Sequence, residues 1–319
     1  TEIPVNLFNF GNVSNDPNKY VDGVGGLFYH TFFGCKALTK IPSGLFSYVK
    51  SGAQNMFEAT FGNCTGLQQI PANLFNFAGN YDVAGQNSMF QSTFYNCNNI
   101  TSIPNELFSH VKSGAQSMFS GTFNGCEKLE SIPDDLFDFG STENDFRNID
   151  GQKQMFEWTF QGCTTLTSIP SGLFSHIKSG AESMFNGTFN GCTGLKYLPE
   201  NLFASVKTPA EKLFYQTFYG CNGLIENSGA VIPSAEYNFI PKNLFSVASG
   251  GNTGLINESN PEQSLTATDM MTGIFYGASL STQCPADYYQ YTTGYEDDWD
   301  NQVSCTPCPP GSHSPAGAT

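Results

Sequence analysis

The chain reads as an α/β solenoid of about eight stacked coils, on three observations. A phrase of the form IPxxLFSxVKSGAxxMFxxTFxGCxxLxxIP returns eight times in 319 residues. Its anchoring prolines, Pro4, Pro42, Pro71, Pro104, Pro133, Pro170, Pro199 and Pro241, are 38, 29, 33, 29, 37, 29 and 42 residues apart, a period that belongs to solenoids. Within each copy a helix-like spacing of apolar residues gives way to a short strand-like stretch. Short parallel strands are therefore expected on one face and short capped helices on the other, with a small Cys-rich tail behind them.

The first six steps alternate long with short, and the extra residues always follow "LF", so the insertions form loops on one edge of every other coil. Repeats bury their apolar faces on their neighbours and extend as one body. The division is accordingly one array, residues 1–282, and one tail, residues 283–319.

The helix is expected on "GAxxMFxxTFxGC". In the fourth copy Ala115, Met118, Phe119, Thr122, Phe123 and Cys126 fall at offsets that share one helical face. Its start carries a capping box, in which Ser or Thr is followed three residues later by Gln or Glu: Ser51 with Gln54, Ser113 with Gln116, Ser179 with Glu182, Thr208 with Glu211. Pro209 suits a first helical position. The residue before each repeat Cys is always Gly or Asn, the types that tolerate positive φ, which reads as a left-handed helix stop. Asp22 and Asp150 stand where the short copies place their capping Ser and read as caps in turn.

The strand is expected on "CxxLxxIP", with Leu129 and Ile132 inward and the proline limiting ladder pairing. At a strand separation of about 4.8 Å, eight coils make a body roughly 40 Å long. Three Phe columns, from "LF", "MF" and "TF", supply the core, each buried ring contributing about 2 kcal/mol.

Composition narrows the function classes. Charged residues make up 13% of the chain, against roughly 25% in ordinary domains, so Ser, Thr, Asn, Gln and Gly must cover most of the surface, as suits exported proteins. A formal charge of −15 offers no basic groove, and nucleic acid draws its affinity from Lys and Arg. No apolar run reaches the roughly 18 residues of a membrane span, so no membrane insertion is expected within this chain. Thr1 does not open a signal peptide, so export is argued from other features.

Seven of the ten cysteines occur once per copy, at Cys35, Cys64, Cys97, Cys126, Cys163, Cys192 and Cys221, and the eighth copy has Ala278 there. A position that takes Cys or Ala is small and buried. Each thiol stands alone in its coil without the paired C-x-x-C of a zinc site, so free buried thiols are expected in preference to inter-coil disulfides, with metal last. No cofactor is expected.

Candidate sites are few. Phe10, Tyr48, Phe77, His110, Phe139 and His176 share one position of the repeat and form an aromatic column, able to stack sugars or a protein surface or simply to pack under the insertions. Asp16, Asn18 and Asp22 lack the spacing and bidentate Glu of a calcium loop. Glu296, Asp297, Asp298 and Asp300 read as a solvated acidic turn before a cation site. Asn12, Asn99, Asn186 and Asn257 open sequons for glycosylation, and Asn63 does so where a helix stop is expected. No nucleophile elbow, phosphate loop, paired-carboxylate phrase or zinc helix occurs, so no catalytic residue is assigned.

At "TFNGCEKLESIP", residues 122–133, and at copies such as "TFQGCTTLTSIP", the chain resembles the BspA-like branch of the leucine-rich repeats, over about residues 1–282. The family phrase F-x-x-C-x-x-L-x-x-I is met by Phe123, Cys126, Leu129 and Ile132 and by their counterparts. The chain departs from it in the proline directly after the Ile, the "LF" phrase and the insertions. The resemblance implies leucine-rich-repeat-like coils in a secreted or surface protein of microbes that binds host or neighbour-cell components, with no catalytic residues to carry over. The tail phrase "CTPCPPGSHSPAGAT" resembles the start of an ephrin-receptor-like Cys-rich extracellular module. That resemblance implies an oxidising location and a preferred Cys284–Cys305 disulfide, with the partner of Cys308 beyond the visible chain.

The expected function is thus that of a non-enzymatic extracellular or cell-surface protein for binding or adhesion, presenting a rigid scaffold to a protein or glycan. The alternative is a structural subunit of a head-to-tail extracellular filament. "TEIP" opens inside a repeat, arrays need a cap over their first apolar layer, and stacked solenoids generate open fibres. A hydrolase ranks third.

Overall fold

The computed structural model describes residues 2–5, 7–8, 20–77, 82–139, 149–196, 198–199, 202–206, 208 and 210–221, with two strands in the tail. The first seven copies of the repeat fall there, and we number their coils 1 to 7 by Cys35, Cys64, Cys97, Cys126, Cys163, Cys192 and Cys221. The eighth copy lies outside the described residues.

The coils stack as one solenoid around a continuous phenylalanine core. The "MF" rings Phe28, Phe57, Phe90, Phe119, Phe156, Phe185 and Phe214 form a near-parallel column with centroids 5.4–5.8 Å apart. The "TF" rings, from Phe32 to Phe218, form a second at 5.3–5.6 Å. The "LF" rings, from Phe8 to Phe203, form a third at 5.5–6.2 Å. Between columns the rings meet tilted, as Phe108 meets Phe119 at 4.8 Å and 54°. Offset stacking along the columns and edge contact between them are the two arrangements aromatic quadrupoles favour.

The expected helix is not formed, and the described residues contain no α-helix. "GAxxMFxxTFxGC" is instead a chain of overlapping β-turns. In coil 2 the N–H groups of Met56, Glu58, Thr60, Gly62 and Cys64 donate three residues back, while those of Asn55, Phe57, Ala59, Phe61 and Asn63 donate across to coil 3. Every fourth residue takes positive φ: Asn55 at 55°, Ala59 at 50° and Asn63 at 58°. A four-residue repeat buries the same offsets as a helical one over so short a stretch. Met118, Phe119, Thr122, Phe123 and Cys126 are accordingly fully buried, as expected of the helix.

This ribbon of turns is what joins the coils. Along the ribbon five alternate backbone hydrogen bonds of 2.6–3.0 Å cross each of the six joints, and in these the earlier coil donates N–H and the later coil accepts with C=O. Side chains answer in the opposite sense. Thr122 Oγ1 donates to Phe90 O at 2.9 Å, Cys126 Sγ to Phe94 O at 3.4 Å, and the Thr and Cys of coils 2, 3, 5, 6 and 7 do the same. The buried Thr hydroxyls and thiols of the interior are thereby satisfied, as burial demands.

The capping residues cap, but across the joint. Ser51, Ser113, Ser179 and Thr208 accept from the N–H of Gly23, Gly85, Gly151 and Gly180 in the preceding coil. Gly85 is required at this approach, because a Cβ there would lie 2.1 Å from Ser113 O. Asp22 and Asp150 are not caps. Asp22 faces Lys50 at 3.5 Å, while Asp150 faces Lys178 at 3.7 Å and accepts from Ser179 Oγ at 3.3 Å. Such exposed pairs contribute about 0–1 kcal/mol.

The strand face is reduced to isolated parallel bridges. Glu2 bridges Lys40 and Ser102 bridges Ser131 along "CxxLxxIP", while Val21–Val49, Val83–Val111 and Ile149–Ile177 tie each long coil to the short one after it. Proline ends the pairing on the first set. In the tail, β1 (Tyr288–Tyr291) pairs antiparallel with β2 (Ser304–Pro307), with Gln290 opposite Cys305. Cys284 lies outside the described residues, as do Glu296, Asp297, Asp298 and Asp300.

Candidate binding surface

The expected aromatic column is not an open ladder. Phe77 and Phe139 are each 1% exposed, packed against Phe57 at 6.2 Å and Phe119 at 6.3 Å. Rings so enclosed cannot stack on a ligand. Tyr48, His110 and His176 are half-buried, and their carbonyls accept the bridge bonds from Val21, Val83 and Ile149. His110 Nδ1 stands 3.9 Å from Asp82, whose carboxylate also pairs with Lys112 at 3.2 Å. Phe10 lies outside the described residues. The column therefore marks the tie between long and short coils, which is the packing reading of the repeat.

Sequence reasoning missed the rings that do reach solvent. They stand on the outer side of the turn ribbon, at positions that vary between copies. Trp158 is 42% exposed and sits at φ 52°, an uncommon conformation for a bulky residue. The space its indole occupies is left open by the next coil, because a Cβ on Gly187 would come within 2.2 Å of Trp158 Cδ1. Phe33, 43% exposed, is likewise seated on Gly62, where a Cβ would fall 2.8 Å from its ring. Beside it Tyr29, His30 and Phe33 stack in sequence, with centroids 4.1 and 4.6 Å apart and planes within 11°. The signal available in the sequence was a glycine one copy downstream of each exposed ring.

Polar side chains adjoin Trp158 and Gly187 in their coils and are hydrogen-bonded to one another. Glu157, only 8% exposed, accepts from Gln154 Nε2 at 2.8 Å and from Asn186 Nδ2 at 2.7 Å. Burial raises its pKa, and the two amide donors and Lys153 offset part of that rise. Asn186 Oδ1 is buried without a hydrogen-bond partner. Further along the ribbon, Asn96 Nδ2 donates to Asn63 Oδ1 at 3.1 Å and Asn124 Nδ2 to Gln161 Oε1 at 2.8 Å. Lys153 pairs with Glu182 at 2.7 Å. The side of the rod is thus a polar, amide-rich sheet of turns carrying separated aromatic platforms.

The sequons divide. Asn186 spends its Nδ2 on Glu157 and its Thr188 is fully buried, so an attached glycan would have to break that contact. Asn99 donates to Thr65 O at 2.6 Å and accepts from Lys128 Nζ at 2.7 Å. Asn12 and Asn257 lie outside the described residues.

The thiol column is buried from Cys64 to Cys221, while Cys35 is exposed. Burial pushes the Cys64 and Cys221 thiols up to about 12 and those of Cys97, Cys126, Cys163 and Cys192 above the usual range. Thiols so buried stay protonated at neutral pH and are poor nucleophiles. Among the described residues no three His, Cys, Asp or Glu gather as a metal group, and no helix is long and apolar enough to cross a membrane.

The chain matches no family model and no curated protein. Among solved structures it is similar to a leucine-rich repeat protein from Bacteroides ovatus, at 17% identity and a TM-score of 0.20. That similarity covers 61% of this chain and 56% of the other.

Proposed function

We propose that the chain is a non-enzymatic binding or adhesion scaffold of the extracellular space or cell surface, which presents the side of a rigid leucine-rich-repeat-like rod to a protein or glycan. The observation that carries this reading is Trp158, an exposed indole held over Gly187 beside the amide and carboxylate groups of Gln154, Asn186 and Glu157. An apolar ring flanked by fixed polar groups is what interfaces use as an anchor. The joints support the reading too, since five backbone bonds and three ring columns per joint keep such platforms at fixed spacing. The Cys-rich tail phrase and the low proportion of charged residues support an extracellular setting.

The test is attachment of beads coated with the purified chain to mucin and to cultured epithelial cells. Coated beads should bind above uncoated ones, and the triple variant Tyr29→Ser, Phe33→Ser, Trp158→Ser should lose that binding while it unfolds at an unchanged temperature. Equal attachment by the folded variant would remove the platforms from the function. No attachment by the unaltered chain would remove the function itself.

A further inference from the structure

The outer side of the turn ribbon follows a rule that Trp158 interrupts. In each group of four residues the first two, such as Thr159 and Phe160, are buried, while the next two, such as Gln161 and Gly162, turn outward. Gln154, Trp158 and Gly162, four apart, share positive φ of 56°, 52° and 71°, so the indole stands in one row with an amide before it and a glycine after it. The same position of the repeat is Gly121 in coil 4 and Gly187 in coil 6, and from it neither neighbouring coil sets a side chain beside the ring. Amides are fixed on both flanks along coil 5. Gln154 Nε2 donates to Glu157 at 2.8 Å on one, and Gln161 Oε1 accepts from Asn124 Nδ2 at 2.8 Å on the other. Gln154 keeps its Oε1 as an acceptor and Gln161 its Nε2 as a donor for a further partner.

The geometry points to a saccharide subsite at Trp158, with a neutral glycan of equatorial hydroxyls as its occupant; this rests on the binding-scaffold reading and names the ligand class. Trp158 is the one large apolar residue exposed among the described residues of coils 2 to 7. A protein partner meets anchors that cluster in an apolar centre, and an isolated indole provides none. A pyranose needs no such centre, because its C–H face covers a single indole while its hydroxyls reach polar groups at the ring's edge. A hydroxyl both donates and accepts, which matches the free Oε1 and Nε2 of the two flanking amides. Those amides lie to either side of the indole along the ribbon, so they suit hydroxyls that radiate in the plane of the sugar. The charge of −15 disfavours sialylated or sulfated chains, and Lys153, on the same stretch of ribbon, is already paired with Glu182 at 2.7 Å. One indole makes one subsite, so each contact is weak and attachment strengthens with the number of copies engaged at once.

The experiment is saturation-transfer difference NMR of cellopentaose and chitopentaose with the whole 319-residue chain, run alongside the bead assay. Both probes are β-linked chains of sugars with equatorial hydroxyls. The expected result is transfer to the ring protons of both, with a shift of tryptophan emission in the Trp299→Phe background. Trp158→Asn keeps a residue that tolerates positive φ, so its circular dichroism and unfolding midpoint should match the unaltered chain while binding weakens about tenfold or more. No transfer from either probe, with beads that still attach to mucin and cells, overturns the glycan and leaves the scaffold reading standing. Undiminished transfer in the folded Trp158→Asn chain overturns the site. Equal binding of a β-linked galactan oligosaccharide, whose axial hydroxyl leaves the plane of the ring, overturns the equatorial assignment. Silence in both assays removes the scaffold reading and the glycan together.

Discussion

The indole of Trp158 occupies the space that a side chain on Gly187 would need, with its Cδ1 only 2.2 Å from where that Cβ would stand. The platform therefore belongs to two coils, one supplying the ring and the other its seat. Gly187→Ala should displace the indole, and because position 187 has φ 59° it should also cost about 1–2 kcal/mol of backbone strain. Tryptophan fluorescence in a Trp299→Phe background, followed through urea unfolding, reads both effects. An unshifted emission maximum would mean the ring does not rest there.

Phe119 lies at the centre of the core, stacked on Phe90 at 5.7 Å and Phe156 at 5.8 Å. Phe119→Ala should lower stability by about 3–5 kcal/mol in chemical denaturation. Phe33→Ala, at the exposed edge, should cost far less.

The thiol column predicts a labelling pattern. With iodoacetamide at neutral pH, Cys35 should be alkylated in the folded chain, while Cys64 through Cys221 should stay unlabelled until denaturant is added. Peptide mass spectrometry separates them from the tail cysteines. Rapid folded-state labelling of Cys126 would contradict its burial between coils.

Glu157 makes stability depend on pH. Burial raises its folded pKa above the unfolded value, so the unfolded chain releases this proton first as pH rises. The folded state then loses stability as pH climbs from the unfolded pKa through the folded one, and the loss is complete above it. Glu157→Gln should flatten this part of the curve between acid and neutral pH. Melting temperatures measured across that range check it, and an identical slope in both proteins would count against the assignment.

The core was legible because its residues repeat. Phe119, Phe123, Cys126 and Leu129 recur in register, and all are buried as their spacing required. The element that carries them was not legible from periodicity, since a turn every four residues and a helix of 3.6 bury the same offsets over a dozen positions. Gly121 and Gly125, four apart in the fourth copy and both at positive φ, were the discriminating signal. The binding surface was less legible for the opposite reason. Repetition drew attention to Phe77 and Phe139, which recur because they pack, whereas Trp158 occurs once and stands outside the pattern.

The joints have one electrical consequence. The five bonds that the turn ribbon sends across each joint point the same way along the stack, so the peptide dipoles of the ribbon add instead of cancelling, as they do in a helix. Among the described coils, coil 1 at the carbonyl side becomes the negative pole and coil 7 the positive one. The described stack of coils is thus permanently polarised, and an applied field acts to turn it along the field lines.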